Sequence, residues 1–256
     1  MADKTKFIEE LNAKYQPKGE YIVLGKGMLD GEVITEVDVN IPLKTINRHG
    51  LIAGATGTGK TKTLQVFVEQ LSHKGIPTLV MDIKGDLSGI AVEGEQNDKI
   101  NERYAKTKLP YQPQSFPVEL MTISAEKGLK LRATVTEFGP VLLSKILGLN
   151  DTQSSIMSIV FKYADDKGLP LIDLDDLKKT LQYVTDNDEG KKELASNYGA
   201  ISPASLGAIL RSIVAMEQQG ATSFFGEPSF DVVDLLQTRG GKGVVNVLRV
   251  ADIQNQ

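Results

Sequence analysis

The sequence predicts an α/β fold built on a parallel sheet, and three features of its 256 residues indicate this class. Between residues 50 and 82, a short strand, a glycine-rich loop, an amphipathic helix and a second strand follow one another. Val244–Val250 is an apolar run apart from Asn246 and Arg249, which is typical of a buried parallel strand. From residue 136 to about 220 the pattern is mostly helical.

The chain begins with a β-rich region that we place at residues 1–47. Residues 5–15 carry apolar side chains at helical spacing and predict a short helix. Val33–Ile41 alternates between apolar and polar residues, as a strand does, and Asp30-Gly31 is a hairpin turn signal before it. We therefore expect a helix followed by a β-hairpin.

Residues 48–256 are predicted to form the second domain, around the βαβ unit. Gly50–Ala53 is the predicted first strand, and residues 60–74 follow as a helix. Gly75 stops that helix, and Thr78–Asp82 is the second strand.

The rest of this domain contains a surface excursion and a helical insertion. Residues 93–115 are polar and predict a surface segment with one helical turn, and Val118–Ile123 predicts a further strand. The insertion covers about 137–220. Its helices are predicted to start at Gly139-Pro140, Asn150 or Asp151, Asp173, and Ser202-Pro203.

Composition excludes several classes of protein. The chain has no cysteine and only two histidines, so disulfide scaffolds, Cys-ligated zinc and His-rich metal sites are excluded. The net charge of −4 gives no bulk attraction to nucleic acid. No apolar run is long enough to cross a membrane, and the charged N-terminus is not a signal peptide, so we expect a cytoplasmic protein without a membrane partner.

The glycine-rich loop is a phosphate-binding motif. Residues 54–61, GATGTGKT, fit G-x-x-x-x-G-K-[ST] between a predicted strand and a helix. Gly54 and Gly59 allow backbone angles at which successive N–H groups converge on phosphate oxygens, and the helix directs its positive end at the same anion. Lys60 is expected to stabilise the transferring phosphate, and the hydroxyl of Thr61 is expected to bind Mg²⁺.

We therefore predict ATP and Mg²⁺ as cofactors. The predicted nucleotide-binding residues are consecutive in the chain: Gly54, Ala55, Thr56, Gly57, Thr58, Gly59, Lys60, Thr61 and Lys62. No guanine-reading N-K-x-D or T-K-x-D motif follows, which favours adenine. A small-molecule kinase or GTPase that shares only this loop is an alternative.

Asp82 is the second predicted catalytic residue. It ends the strand whose carboxyl end is expected to face the nucleotide, where it would contact Mg²⁺ through water or position a catalytic water. The alternative is that Lys84-Gly85-Asp86 is simply a turn that ends the strand.

Other polar and aromatic residues have alternative interpretations. A basic segment, Arg239-Gly240-Gly241-Lys242, is either a loop that touches DNA phosphates or a plain turn before the last strand. The aromatic pair Phe224-Phe225 is interpreted as core rather than as a platform on which bases stack. Four arginines are candidates to act on a neighbouring subunit's nucleotide: Arg132, Arg211, Arg239 and Arg249.

Five stretches of this sequence resemble HerA-like members of the FtsK/HerA P-loop ATPases. They are GLIAGATGTGKTKTLQ (50–65), LVMDIKGDLSGIA (79–91), RATVTEFGPVLLSKILGLNDTQ (132–153), IVFKYADDKGLPLIDLDDLKKTLQYV (159–184) and SFFGEPSFDVVDLL (223–236). The resemblance implies a RecA-like P-loop NTPase sheet, hexameric rings, ATP hydrolysis, movement along double-stranded DNA and a nuclease partner. It makes Lys60 and Thr61 the Walker A lysine and Mg²⁺ ligand, and places Asp82 on the family's acidic residue.

The sequence departs from this family at the Walker B segment, an apolar strand that ends in Asp-Glu. Val247–Asp252 ends in Asp, lacks the Glu and is interrupted by Arg249. We therefore expect the P-loop domain to be incomplete, the catalytic glutamate to lie outside these residues, and ATP binding to survive without hydrolysis. The alternative within this expectation is a nucleotide-gated binding or assembly module that has no turnover.

Overall fold

A computed structural model describes residues 3–124 and 126–250 of the chain. The chain divides into two compact units. The first holds the residues up to Leu120 together with Val232–Leu248, and the second holds Met121–Asp231 and the residues from Arg249 onward. The boundary expected between residues 47 and 48 stays a prediction.

The first unit begins with the predicted helix and hairpin. Helix α1 is Lys4–Tyr15, and strands β1 (Tyr21–Leu29) and β2 (Glu32–Pro42) pair antiparallel. Asp30 and Gly31 form the turn with φ angles of 49° and 83°. These positive angles explain why a short polar residue and a glycine stand there. The prediction for this region is confirmed.

The chain contains a parallel four-stranded sheet flanked by helices, which confirms the α/β class. The strands β3 (Thr78–Asp82), β4 (Val118–Thr122), β5 (Leu129–Lys130) and β8 (Val245–Arg249) lie in the order β3-β8-β4-β5. The apolar run near the end of the described chain is therefore an internal strand, as its composition predicts.

Helix α2 (Lys60–His73) packs on the sheet of the first unit through a small apolar cluster. The buried members of this cluster are Val68, Leu87, Ile90, Phe116, Val245 and Val247. The predicted strand at Gly50–Ala53 is wrong, because these residues have no strand structure and Leu51 is 89% exposed. Four apolar residues make a strand only where another strand offers them hydrogen bonds, and none of the described strands does so.

Two further features of the first unit differ in extent from the prediction. Helix α3 (Asp98–Thr107) has ten residues and an Asn97 side-chain cap, where one helical turn was predicted. The strands β6 (Thr238–Arg239) and β7 (Lys242–Gly243) form a two-residue hairpin that the sequence pattern did not predict.

The second unit is mostly helical, and its helices are α4 to α8 in chain order. They span Val135–Ile146, Asp151–Asp166, Leu174–Asp186, Asp188–Asn197 and Pro203–Gln218. Asn150, Asp173 and Ser202 cap their helices with side-chain hydrogen bonds, as predicted. The segment α4 is two helices joined at a kink, because Gly139 has a φ of 77°, and Gly139-Pro140 starts the second of them as predicted. The preceding helical turn, which Thr134 caps, and helix α7 were missed.

The core of this second unit is one cluster of buried side chains contributed by all five helices. Leu177, Leu181 and Ile209 are fully buried within it. Phe225 is buried there and Phe224 packs against the cluster, so the core interpretation of this pair is confirmed.

Candidate phosphate-binding site

The glycine-rich loop at residues 54–59 leads directly into α2, which begins at Lys60. Gly57 and Gly59 have φ angles of 82° and 93°, which an L side chain rarely adopts. At Gly54, an added Cβ would lie 2.5 Å from the Oγ1 atom of Thr58, which itself donates to the Ala55 carbonyl at 2.8 Å. The backbone angles of the loop therefore favour glycine at positions 57 and 59, and the close contact with Thr58 favours glycine at position 54.

The start of α2 is the feature of this loop that favours an anion. Its N-cap is Gly59, which has no side chain to accept a hydrogen bond. The other α-helices of the described chain each have a capping side chain: Asp3, Asn97, Thr134, Asn150, Asp173, Asn187 and Ser202. Within residues 3–124 and 126–250, no protein acceptor meets the N–H groups of Lys60, Thr61 and Lys62. These donors and the helix dipole suit a phosphate.

Lys60 reaches back over the loop that it follows. Its ammonium group donates to the carbonyl oxygens of Gly54 and Ala55 at 2.6 and 2.8 Å. Among the residues that the structure describes, no carboxylate pairs with this charge, so phosphate oxygens can replace two neutral acceptors without breaking an ion pair there. The donor set fits a nucleotide phosphate.

Thr61 and Lys62 occupy the first turn of α2. Thr61 is half-buried, and its hydroxyl has no hydrogen bond to another residue in the described part of the chain. The Lys62 ammonium group lies along the side of the helix, where it donates to Gln65 Oε1 at 2.9 Å. Of the polar groups of Lys62, the backbone N–H is therefore the one that belongs to the loop's donor set.

Asp82 lies at the end of β3 and is 1% exposed. Its Oδ1 atom accepts the N–H groups of Lys84, Gly85 and Asp86 at 3.3, 2.8 and 3.2 Å, and its Oδ2 atom accepts that of Leu87 at 3.0 Å. This carboxylate organises the turn that ends the strand, which supports the alternative interpretation of the segment. Its catalytic and Mg²⁺-binding roles stay predictions.

Sequence reasoning missed the link between this turn and α2. Gln65 is buried in the helix, and its Nε2 atom donates to the Asp86 carbonyl at 2.9 Å while its Oε1 atom accepts from Lys62. A tertiary hydrogen bond of this kind leaves no spacing signal in the sequence. The acidic residue after Gly85 was visible in the sequence but was assigned only to the turn.

The basic hairpin at Arg239-Gly240-Gly241-Lys242 is a plain turn. Gly240 and Gly241 have φ angles of 59° and 78°, as a tight hairpin needs. Arg239 pairs with Glu119 at 2.6 Å, and Lys242 donates to the Gln114 side chain and the Ser115 carbonyl, both at 3.1 Å. Both cations have partners within the first unit.

Two searches of the described residues give negative results. No group of three or more His, Cys, Asp or Glu side chains is placed to hold a metal ion in this part of the chain. None of the helices there is both long enough and apolar enough to cross a membrane.

A protein family and a solved structure are similar to this chain, whereas no curated protein matches it. The solved structure of a bacterial conjugative coupling protein, TrwBdeltaN70 in its unbound monoclinic form, is 15% identical with a TM-score of 0.49. The match covers 94% of this chain and 53% of that one, so this chain spans about half of that protein's length. The profile of the helicase HerA-like C-terminal family matches residues 29–256. The chain therefore belongs to the helicase HerA-like C-terminal family.

Proposed function

We propose that this chain binds Mg²⁺-ATP at residues 54–61, as the nucleotide-binding part of a HerA-type DNA translocase. The observation that carries the proposal is the start of α2 in the described part of the chain. There, unpartnered N–H groups follow a loop with the P-loop pattern, and Lys60 donates to two neutral carbonyls. Family membership supports ATP over other phosphates.

The residues of the loop have separate roles in this proposal. The Lys60 ammonium group binds the terminal phosphates, the Thr61 hydroxyl binds Mg²⁺, and the backbone N–H groups of the loop surround the phosphate chain. Mg²⁺ would supply charge neutralisation between the phosphates. Hydrolysis, duplex DNA as substrate, a hexameric ring, a nuclease partner and a cytoplasmic location belong to the proposal by family likeness.

Isothermal titration with ATP and Mg²⁺ tests the binding step. Lys60→Ala removes the only side-chain cation of the loop and is expected to weaken affinity at least about tenfold. Lys44→Ala is the matched control, because Lys44 lies on the 3₁₀ turn Leu43–Thr45, outside the phosphate-binding motif. Equal affinity in the wild type and in Lys60→Ala would remove the basis of the proposal.

A second candidate function is a nucleotide-gated binding or assembly module without turnover. The observation that favours it is Asp82, because four backbone N–H groups already occupy the predicted catalytic carboxylate. In this case, ATP stabilises the folded chain by mass action and is not consumed. Steady-state release of phosphate that Lys60→Ala abolishes would exclude this function.

A further inference from the structure

We propose that Asp86, and not Asp82, supplies the carboxylate that meets the nucleotide's Mg²⁺ beside the phosphate loop, and that Gln65 positions it. The inference deepens the proposed function and rests on it. It starts from a contrast between two aspartates of one turn. Asp82 is buried with four hydrogen bonds, whereas Asp86 is exposed and its carboxylate contacts no other residue in the described part of the chain.

Two hydrogen bonds fix the main chain of Asp86, whereas its carboxylate has no partner among the described residues. Its N–H group donates to Asp82 Oδ1 at 3.2 Å, and its carbonyl accepts from Gln65 Nε2 at 2.9 Å. The next residue, Leu87, is 3% exposed and belongs to the apolar cluster under α2. A fixed backbone that presents an unpaired carboxylate is the arrangement expected of a preorganised ligand-binding group.

Gln65 links Asp86 to α2, the helix that begins at the end of the phosphate loop. Gln65 follows Lys60 by five positions, which is about 7.5 Å along the helix axis at the usual rise. The turn that contains Asp86 also follows the carboxyl end of β3, the side of a parallel sheet where ligands bind. Gln65 therefore connects the helix that binds phosphate to the turn that carries the free carboxylate.

The chemistry of Mg²⁺ fits this placement. Mg²⁺ bound to a nucleotide keeps several waters and takes one or two carboxylates in addition to the phosphate oxygens. An exposed carboxylate can accept such a water or the ion itself without losing a structural bond. Asp82 is 1% exposed and already accepts four N–H groups of its own turn, so a hydrated ion has far less access to it.

The test measures the affinity of a non-hydrolysable ATP analogue by isothermal titration, once with Mg²⁺ and once in EDTA. Asp86→Asn is expected to lose most of the affinity that Mg²⁺ adds, about tenfold. In EDTA, the same variant is expected to bind as tightly as the wild type or more tightly, because a negative charge near the phosphates is gone. Its melting temperature is expected to stay at the wild-type value.

Matched variants separate positioning from general effects of charge or stability. Glu93→Gln removes one exposed negative charge from the following loop and is expected to leave both affinities unchanged. Gln65→Met keeps the size of the side chain but removes the donor to Asp86. It is expected to lower the Mg²⁺-dependent gain while leaving the affinity in EDTA unchanged.

The outcomes are distinguishable from failure of the proposed function. A wild-type Mg²⁺-dependent gain in Asp86→Asn would overturn the assignment of this carboxylate, and the same result in Gln65→Met would overturn the positioning role. If Lys60→Ala binds the analogue as the wild type does, the proposed function fails. If Lys60→Ala loses binding and Asp86→Asn keeps the Mg²⁺ gain, only this inference fails.

Discussion

Removing the Asp82 carboxylate is expected to destabilise the first unit, because that group accepts four backbone N–H groups in a buried turn. The two shortest bonds, from Gly85 at 2.8 Å and Leu87 at 3.0 Å, carry most of the effect. Hydrogen bonds to a charged acceptor contribute about 1.5–3 kcal/mol each, so loss of these two in Asp82→Ala is expected to lower the unfolding free energy by about 3–6 kcal/mol.

Asp82→Asn is a milder substitution at the same position. The amide keeps an oxygen for the three N–H groups that contact Oδ1, but it turns an NH₂ group toward Leu87 N–H. Loss of one bond to the charged acceptor is expected to cost about 1.5–3 kcal/mol, which is less than the loss of the whole carboxylate. The two variants thus separate loss of the whole carboxylate from loss of a single contact.

Urea unfolding followed by circular dichroism measures these differences, and amide hydrogen exchange locates them. Faster exchange is expected at Gly85 and Leu87 in Asp82→Ala, and unchanged exchange in the helices of the second unit. The structural role would be refuted if Asp82→Ala lies within about 0.5 kcal/mol of the wild type and the Leu87 amide keeps its protection.

Three further predictions concern the same unit. Gly54→Ala is expected to weaken ATP binding, because the added Cβ would lie 2.5 Å from Thr58 Oγ1. Adding Thr58→Ala removes that oxygen atom, so titration of the double variant with ATP should show part of the affinity restored. Gly243→Ala would drive a Cβ into the Ile76 carbonyl and is expected to lower stability by more than about 2 kcal/mol, measured by urea unfolding; wild-type stability would contradict the packing. Burial raises the pKa of Glu69, so ionisation of this carboxyl group opposes folding. Glu69→Gln is therefore expected to stabilise the chain at pH values above the raised pKa and to have no effect below the ordinary pKa of a glutamate. A stabilisation that does not depend on pH, measured in unfolding scans, would refute this.

The parts of the fold that local chemistry determines could be predicted from the sequence. Asn150, Asp173 and Ser202 signal helix starts because a cap is made with N–H groups only two or three residues away. Asp30-Gly31 signals its turn for the same reason, since its angles are a local matter. The start of α2 directly after the glycine-rich loop belongs to this group, because that pattern is contiguous in sequence.

The parts that depend on distant partners could not be predicted. Gly50–Ala53 has the composition of a strand but no pairing partner in the described chain. Helix α7 was missed because only Gly190 and Leu194 are buried in it, too few for a helical apolar period. The role of Gln65 depends on a hydrogen bond to Asp86, twenty-one positions away, which composition and spacing do not reveal.

ATP binding by the wild type and by Lys60→Ala, titrated side by side in Mg²⁺, tests the central claim most directly. Within residues 3–124 and 126–250, Lys60 donates only to carbonyl oxygens of its own loop, so its replacement should leave the fold intact. We predict saturable binding by the wild type and a loss of at least about tenfold in the variant, with equal melting temperatures in the absence of nucleotide. Equal affinity of the two proteins for ATP would contradict the claim that this loop is the nucleotide site.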